Sequence, residues 1–124
     1  SLTSGFMPDP STVGVTSGGN VNVSYLGGNC YGFATAAPDF RLNYTAGGFS
    51  LLRFYFVGNG DTTMVINDAY GNWRCSDDSF GTLNPTIDFN NPAGGQYDVW
   101  IGSFTAGNYI SGTLHVTEVS SNHP

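Results

Sequence analysis

The apolar residues of this chain alternate with a period of two wherever they form a run, and no stretch keeps the three-to-four spacing of a capped helix. Successive side chains of a strand point to opposite faces, so this periodicity restricts the chain to strands buried on one side. Strands are expected at Thr12–Thr16, Val21–Leu26, Cys30–Thr35, Phe40–Thr45, Leu51–Val57, Thr62–Asn67, Thr86–Phe89, Gln96–Ser103 and Ser111–Val119. Between them lie turn formers such as Gly18-Gly19-Asn20, Gly27-Gly28-Asn29, Gly58-Asn59-Gly60 and Tyr70-Gly71-Asn72. Eight or nine short strands at such spacing predict an all-β fold, a single antiparallel β-sandwich of jelly-roll type. Pro8 and Pro10 exclude a central strand, so residues 1–11 are expected to form an extended arm. Residues 12–119 then form the sandwich and residues 120–124 a polar tail.

Alternation also assigns faces. Tyr97, Val99 and Ile101 fall on one side of their strand, as do Leu52, Phe54 and Phe56, and Leu114 and Val116, and these are expected to face the core. Trp100 and Tyr55 then lie on outer faces, either covered by a loop or the arm, or forming a contact surface.

Charge narrows the classes of partner. The formal net charge is −6, there is no lysine, and Arg41, Arg53 and Arg74 are scattered. Nucleic-acid binding needs clustered cations that release counterions, so it is excluded, and a polybasic membrane contact is excluded with it. No apolar run approaches the length of a bilayer span, so membrane insertion is not expected. The chain also lacks a charged and apolar leader, so an exported form is expected to have lost its signal.

The two cysteines, Cys30 and Cys75, each sit beside turn residues and outside long apolar runs. They are expected to form a disulfide, which points to a secreted or cell-surface protein; two buried free thiols are the alternative. Catalytic motifs are absent. There is no nucleophile elbow, no zinc-binding helix signature and no phosphate loop. Of the two histidines, His123 is in the tail and His115 lies mid-strand without a motif. The chain is therefore read as not an enzyme.

The segment from Cys75 to Pro85 is the most distinctive chemically. Asp77, Asp78 and Asn84 offer hard oxygens in one loop, and Asp61 and Asp68 bracket a nearby strand. Calcium takes six to eight such oxygens, so these five residues are candidate Ca2+ ligands. The alternative is that they cap turns by accepting backbone N–H bonds. Trp73, Trp100, Tyr55, Tyr109 and Phe80 are candidate ligand or interface residues, since flat rings stack on sugars and anchor interfaces.

Gly60-Asp61-Thr62-Thr63-Met64-Val65-Ile66, Gly71-Asn72-Trp73, Asp77-Asp78-Ser79, Asn84-Pro85-Thr86-Ile87 and Gly95-Gln96-Tyr97-Asp98-Val99-Trp100-Ile101-Gly102 follow in order. Together they resemble the bacterial pre-peptidase C-terminal domain family over roughly residues 50–119. In that pattern a glycine-aspartate pair opens a strand, a polar acidic hairpin follows, and a Gly-x-Tyr strand closes the unit. Asp61 matches the strand-opening aspartate, and Asp77 and Asp78 fall in the hairpin. The Cys30 and Cys75 pair lies outside the pattern. The resemblance implies a secreted β-sandwich module acting in substrate or surface binding, and some related collagen-binding modules carry calcium.

Two functions compete. One is a binding or adhesion module for a surface polysaccharide or protein. The other is a structural subunit of an extracellular fibre or sheath, in which copies of the chain join by lending the N-terminal arm to a neighbour's sheet.

Overall fold

The computed structural model describes residues 1–28 and 30–124; the last residue of the turn expected at Gly27-Gly28-Asn29 lies outside the described residues. The chain is a β-sandwich of two sheets. Its strands are β1 (Leu2–Thr3), β2 (Ser11–Thr16), β3 (Val21–Asn22), β4 (Phe33–Ala34), β5 (Phe40–Thr45), β6 (Leu51–Gly58), β7 (Thr62–Asn67), β8 (Trp73–Ser76), β9 (Thr86–Asn90), β10 (Gly95–Ser103) and β11 (Ser111–Thr117). Sheet B has the order β2-β11-β6-β9, and the other seven strands form sheet A around β10. β10 pairs with β5 through its first half and with β7 through its second, and β8 lies outside β7.

The expected inward residues fill the space between the sheets. Tyr97, Val99 and Ile101 of β10 meet Phe54, Phe56 and Leu114 of sheet B, and all six are essentially solvent-free. Tyr97 packs edge-on against Tyr44 and Phe89, the arrangement that brings positive ring edges to negative ring faces.

Four expectations are corrected. Val21–Leu26 is not one strand: after Val21–Asn22 the chain turns into a 3₁₀ segment, Val23–Leu26, because the Asn22 side chain accepts the Ser24 N–H and caps it. Only Phe33–Ala34 of the expected strand Cys30–Thr35 is extended into the sheet. A strand that was not expected, β8, forms at Trp73–Ser76, and the sheets are not wholly antiparallel. Leu2–Thr3 pairs in parallel with Tyr44–Thr45 of β5, and the buried Glu118 carboxylate accepts both the Gly5 N–H (2.7 Å) and the Tyr44 hydroxyl (2.5 Å).

Outer-face positions of β6 are also covered. Arg53 and Tyr55 are only 6% and 5% exposed. Arg53 makes a two-pronged pair with Asp88 (2.6 and 2.9 Å) and donates to the Ser120 and Asn122 carbonyls, which ties the tail across sheet B. Tyr55 stacks on His115 with ring centroids 4.4 Å apart.

Cys30 and Cys75 are disulfide-bonded. The bridge joins β8 to the segment between the 3₁₀ turn and β4, across a sequence separation of 45. A closed loop of that length stabilises by about 4 kcal/mol on the chain-entropy model. Replacing both cysteines by serine is therefore expected to lower the unfolding free energy by roughly 3–4 kcal/mol in urea titrations, with a matching loss of hydrogen-exchange protection at all amides that open only by global unfolding.

Candidate functional site

Sheet A carries apolar side chains on both faces, so its outer face needs a cover of its own. Register sets Trp100, Val65 and Cys75 in a row across β10, β7 and β8. Val65 is buried there beneath Val23, Cys30 and Ala34, with Leu26, Cys75 and Trp100 packed around them. The covering segment lies close to the sheet because Gly32 adopts φ of 97° and has no side chain; a Cβ there would sit 2.6 Å from the Thr63 hydroxyl.

The cover stops short at one end and leaves a cleft of about 220 Å³. Trp73 and Trp100 form its aromatic wall, their ring centroids 5.3 Å apart and their planes inclined by 46°. Tyr25 and Leu26 of the 3₁₀ turn line it from the cover, and Val65 from the sheet. Trp100 is fixed by its indole N–H, which donates to the Ala36 carbonyl (3.3 Å). Trp73 is 45% exposed and Tyr25 72% exposed, so the cleft presents two large aromatic surfaces to water.

Two shallower depressions continue from it. One shares Leu26 and Trp73 with the cleft and reaches Cys75; the next runs from Cys75 past Tyr31 to Asp77 and Asp78. The result is a trough along β8. It begins at paired tryptophans and ends at carboxylates about 13 Å further on, four residues at strand rise.

Asp61, Asp77 and Asp78 converge at that end, with one carboxylate oxygen from each within 4.8 Å of the others. Asp61 is held where the chain enters β7, its carbonyl accepting the Phe104 N–H (3.1 Å). The loop after Asp78 is stapled by its own polar groups. The Ser79 hydroxyl donates to the Asn84 carbonyl (2.6 Å), and the Thr82 hydroxyl donates to the Ser79 carbonyl (2.8 Å). One oxygen each of Asp61 and Asp77 is buried without a hydrogen-bond partner. Burial, then the charges of Asp78 and Asp61, push the Asp77 carboxyl up to about 6, and burial with Asp78 raises Asp61 as well.

Hard oxygens that are buried, unpaired and mutually repelling fit a hard cation such as calcium, which would neutralise the cluster with water completing its shell. The other two expected ligands are elsewhere. Asp68 lies at the far end of β7 and accepts the Tyr70 and Asn72 N–H groups (2.9 and 3.0 Å), capping a turn. The Asn84 side-chain oxygen accepts the Gly58 N–H (3.1 Å).

The aromatic candidates also separate. Trp73 and Trp100 meet in the cleft, whereas Tyr55 is buried under sheet B's covering. Phe80 stacks on His123 at 4.3 Å and receives the Arg53 guanidinium at 5.2 Å. Tyr109, in the β10–β11 connection, packs near Gly18. Tyr25 joins the cleft unexpectedly. The sequence hid it, because Val21-Asn22-Val23-Ser24-Tyr25 alternates as a strand does and the turn comes from the Asn22 side chain accepting the Ser24 N–H.

Asp77 makes the stability of the metal-free protein pH-dependent. Its folded value of about 6 lies above its ordinary 3.8, so between the two the folded state holds a proton that the unfolded state releases. Its contribution to stability is therefore full below the ordinary value and is lost as pH rises through about 6. With chelator present, Asp77→Asn is expected to raise Tm by roughly 2–5 °C at about pH 8 and to change little at about pH 3.5, read by calorimetry.

No family model matches the chain, and no curated protein matches it.

Proposed function

We propose that the chain is a non-catalytic extracellular module that binds a surface polysaccharide along the trough on sheet A. The observation that carries this reading is the Trp73–Trp100 pair, two inclined rings 5.3 Å apart at the mouth of an apolar cleft. Such rings stack on the C–H faces of sugars, and the indoles lose little freedom because both are packed in place. A trough continuing from the cleft along β8 suits an extended chain, whereas a protein partner would need a broader apolar contact.

The disulfide supports an oxidising, extracellular setting. Both histidines are stacked on rings beneath or beside the other sheet, which supports a binding role over a catalytic one. The motif likeness to pre-peptidase C-terminal domains points the same way. Calcium is part of the proposal: held by Asp61, Asp77 and Asp78, it would stabilise the trough's far end. The fibre reading needs a free arm, and here Leu2–Thr3 is engaged by β5 of its own chain.

The test is affinity electrophoresis through gels containing soluble neutral polysaccharides. The wild-type chain is retarded by at least one, and Trp73→Ala weakens that retention about tenfold while leaving the fold intact, since Trp73 is half exposed. Absence of retardation by any polysaccharide, or full retention by the variant, overturns the reading. For the cation, calcium at a hundredfold excess over its dissociation constant is expected to add about 2.7 kcal/mol of stability. Asp77→Asn should abolish that gain, and an unchanged melt with calcium overturns the metal assignment.

A further inference from the structure

A different surface carries an interaction of its own. β2 closes one side of sheet B, pairing only with β11. The Ser17 N–H donates to Ile110 on the β11 side (2.8 Å), so by the two-residue alternation the odd positions of β2 face β11. The N–H and C=O groups of Thr12, Gly14 and Thr16 therefore point away from the sheet. These three residues are exposed.

Edges of this kind are normally guarded by lysine, inward charges, proline, a bulge or short length. β2 has six residues, none charged and none proline. A side chain at Gly14 would meet nothing within 4 Å, so no other segment covers the outer face of the strand there. Other edges among the described residues are guarded: β1 and β3 have two residues each, β5 beyond β1 carries Arg41, and β8 is tied to β9, where the Arg74 guanidinium donates to the Asp88 carbonyl and the Thr86 N–H to the Ser76 hydroxyl.

We propose that β2 pairs with β2 of a second copy of this chain, antiparallel about a two-fold axis. The register follows from the free groups. Setting Gly14 opposite Gly14 puts Thr12 opposite Thr16, makes all three positions hydrogen-bonded pairs and satisfies six N–H and six C=O groups as six bonds. It also sets Val13 beside Val15, extending the core on which both already pack. A one-residue slip would place inward residues outward, and a two-residue slip would bring in either Pro10, which has no N–H, or the buried Gly18, whose N–H already donates to the Ile101 carbonyl. The strand carries no charge, so two copies of this acidic chain meet there without like charges opposed.

Sedimentation equilibrium tests this. A contact this small associates weakly, so the average mass is expected to rise from 13.1 kDa towards twice that value between micromolar and millimolar concentration. A variant carrying Thr12→Lys and Thr16→Lys, whose introduced charges would face one another across the two-fold axis, should stay monomeric with an unchanged circular dichroism spectrum. A second carrying Thr12→Glu and Thr16→Glu should also stay monomeric alone, and mixing the two should restore association as a heterodimer. Monomer at every concentration, or association that survives the lysine substitutions, overturns the proposal. So does failure of the mixed variants to associate when the wild type does.

Discussion

The strand β7 is buried on both of its faces, and the architecture of sheet A follows from that. Met64 and Ile66 enter the sandwich while Thr63 and Val65 point the other way, yet all four are solvent-free. A sheet with one apolar face needs one partner layer; this one needs two. The second layer is thin. It consists of a 3₁₀ turn, the short strands β3 and β4 at the margin of the same sheet, and the disulfide that fixes them to β8, with Val23, Cys30 and Ala34 buried against Val65. Its shortness leaves the two tryptophans only partly covered. The aromatic cleft is thus the uncovered margin of a layer that the burial of Val65 makes necessary.

Much of the first layer was legible in the sequence. Phe40–Thr45 and Thr62–Asn67 have the expected bounds, and the inward residues of β6, β10 and β11 follow the alternation. Alternation reports which side of a strand a residue occupies, but not whether that side is wet. Tyr55 was assigned correctly to the outer side of β6 and is nevertheless buried, its ring stacked on His115 of the neighbouring β11. β8 was missed because Trp-Arg-Cys-Ser is only four residues long, too short for its alternation to stand out, and is held by pairing with β7, the disulfide and side-chain bonds to β9. The site divided similarly. Proximity in sequence bracketed β7 with Asp61 and Asp68, but a six-residue strand puts its ends about 20 Å apart, so only one of them meets Asp77.

The electrostatics of the chain are governed by scarcity of cations. Arg41 pairs with Asp98 at 2.8 Å on the surface, where such a contact contributes little. Arg53 is committed to Asp88 and the tail, and Arg74 lies over the Phe89 ring at 5.0 Å. None of the three faces Asp61, Asp77 or Asp78 among the described contacts. Those carboxylates therefore repel one another without a neighbouring arginine, and Asp77 and Asp61 hold their protons to higher pH than usual.

The placement of the arginines has another consequence, for resistance to proteolysis. Proteases of trypsin's specificity cut after lysine or arginine and require an extended, accessible stretch of backbone. Here lysine is absent, Arg53 is enclosed, and Arg41 and Arg74 lie within hydrogen-bonded strands. None of the three bonds can enter such a protease until a strand has left its sheet, so digestion is gated by local unfolding rather than by encounter. A chain built this way persists among basic-residue-specific proteases for as long as its sheets stay paired.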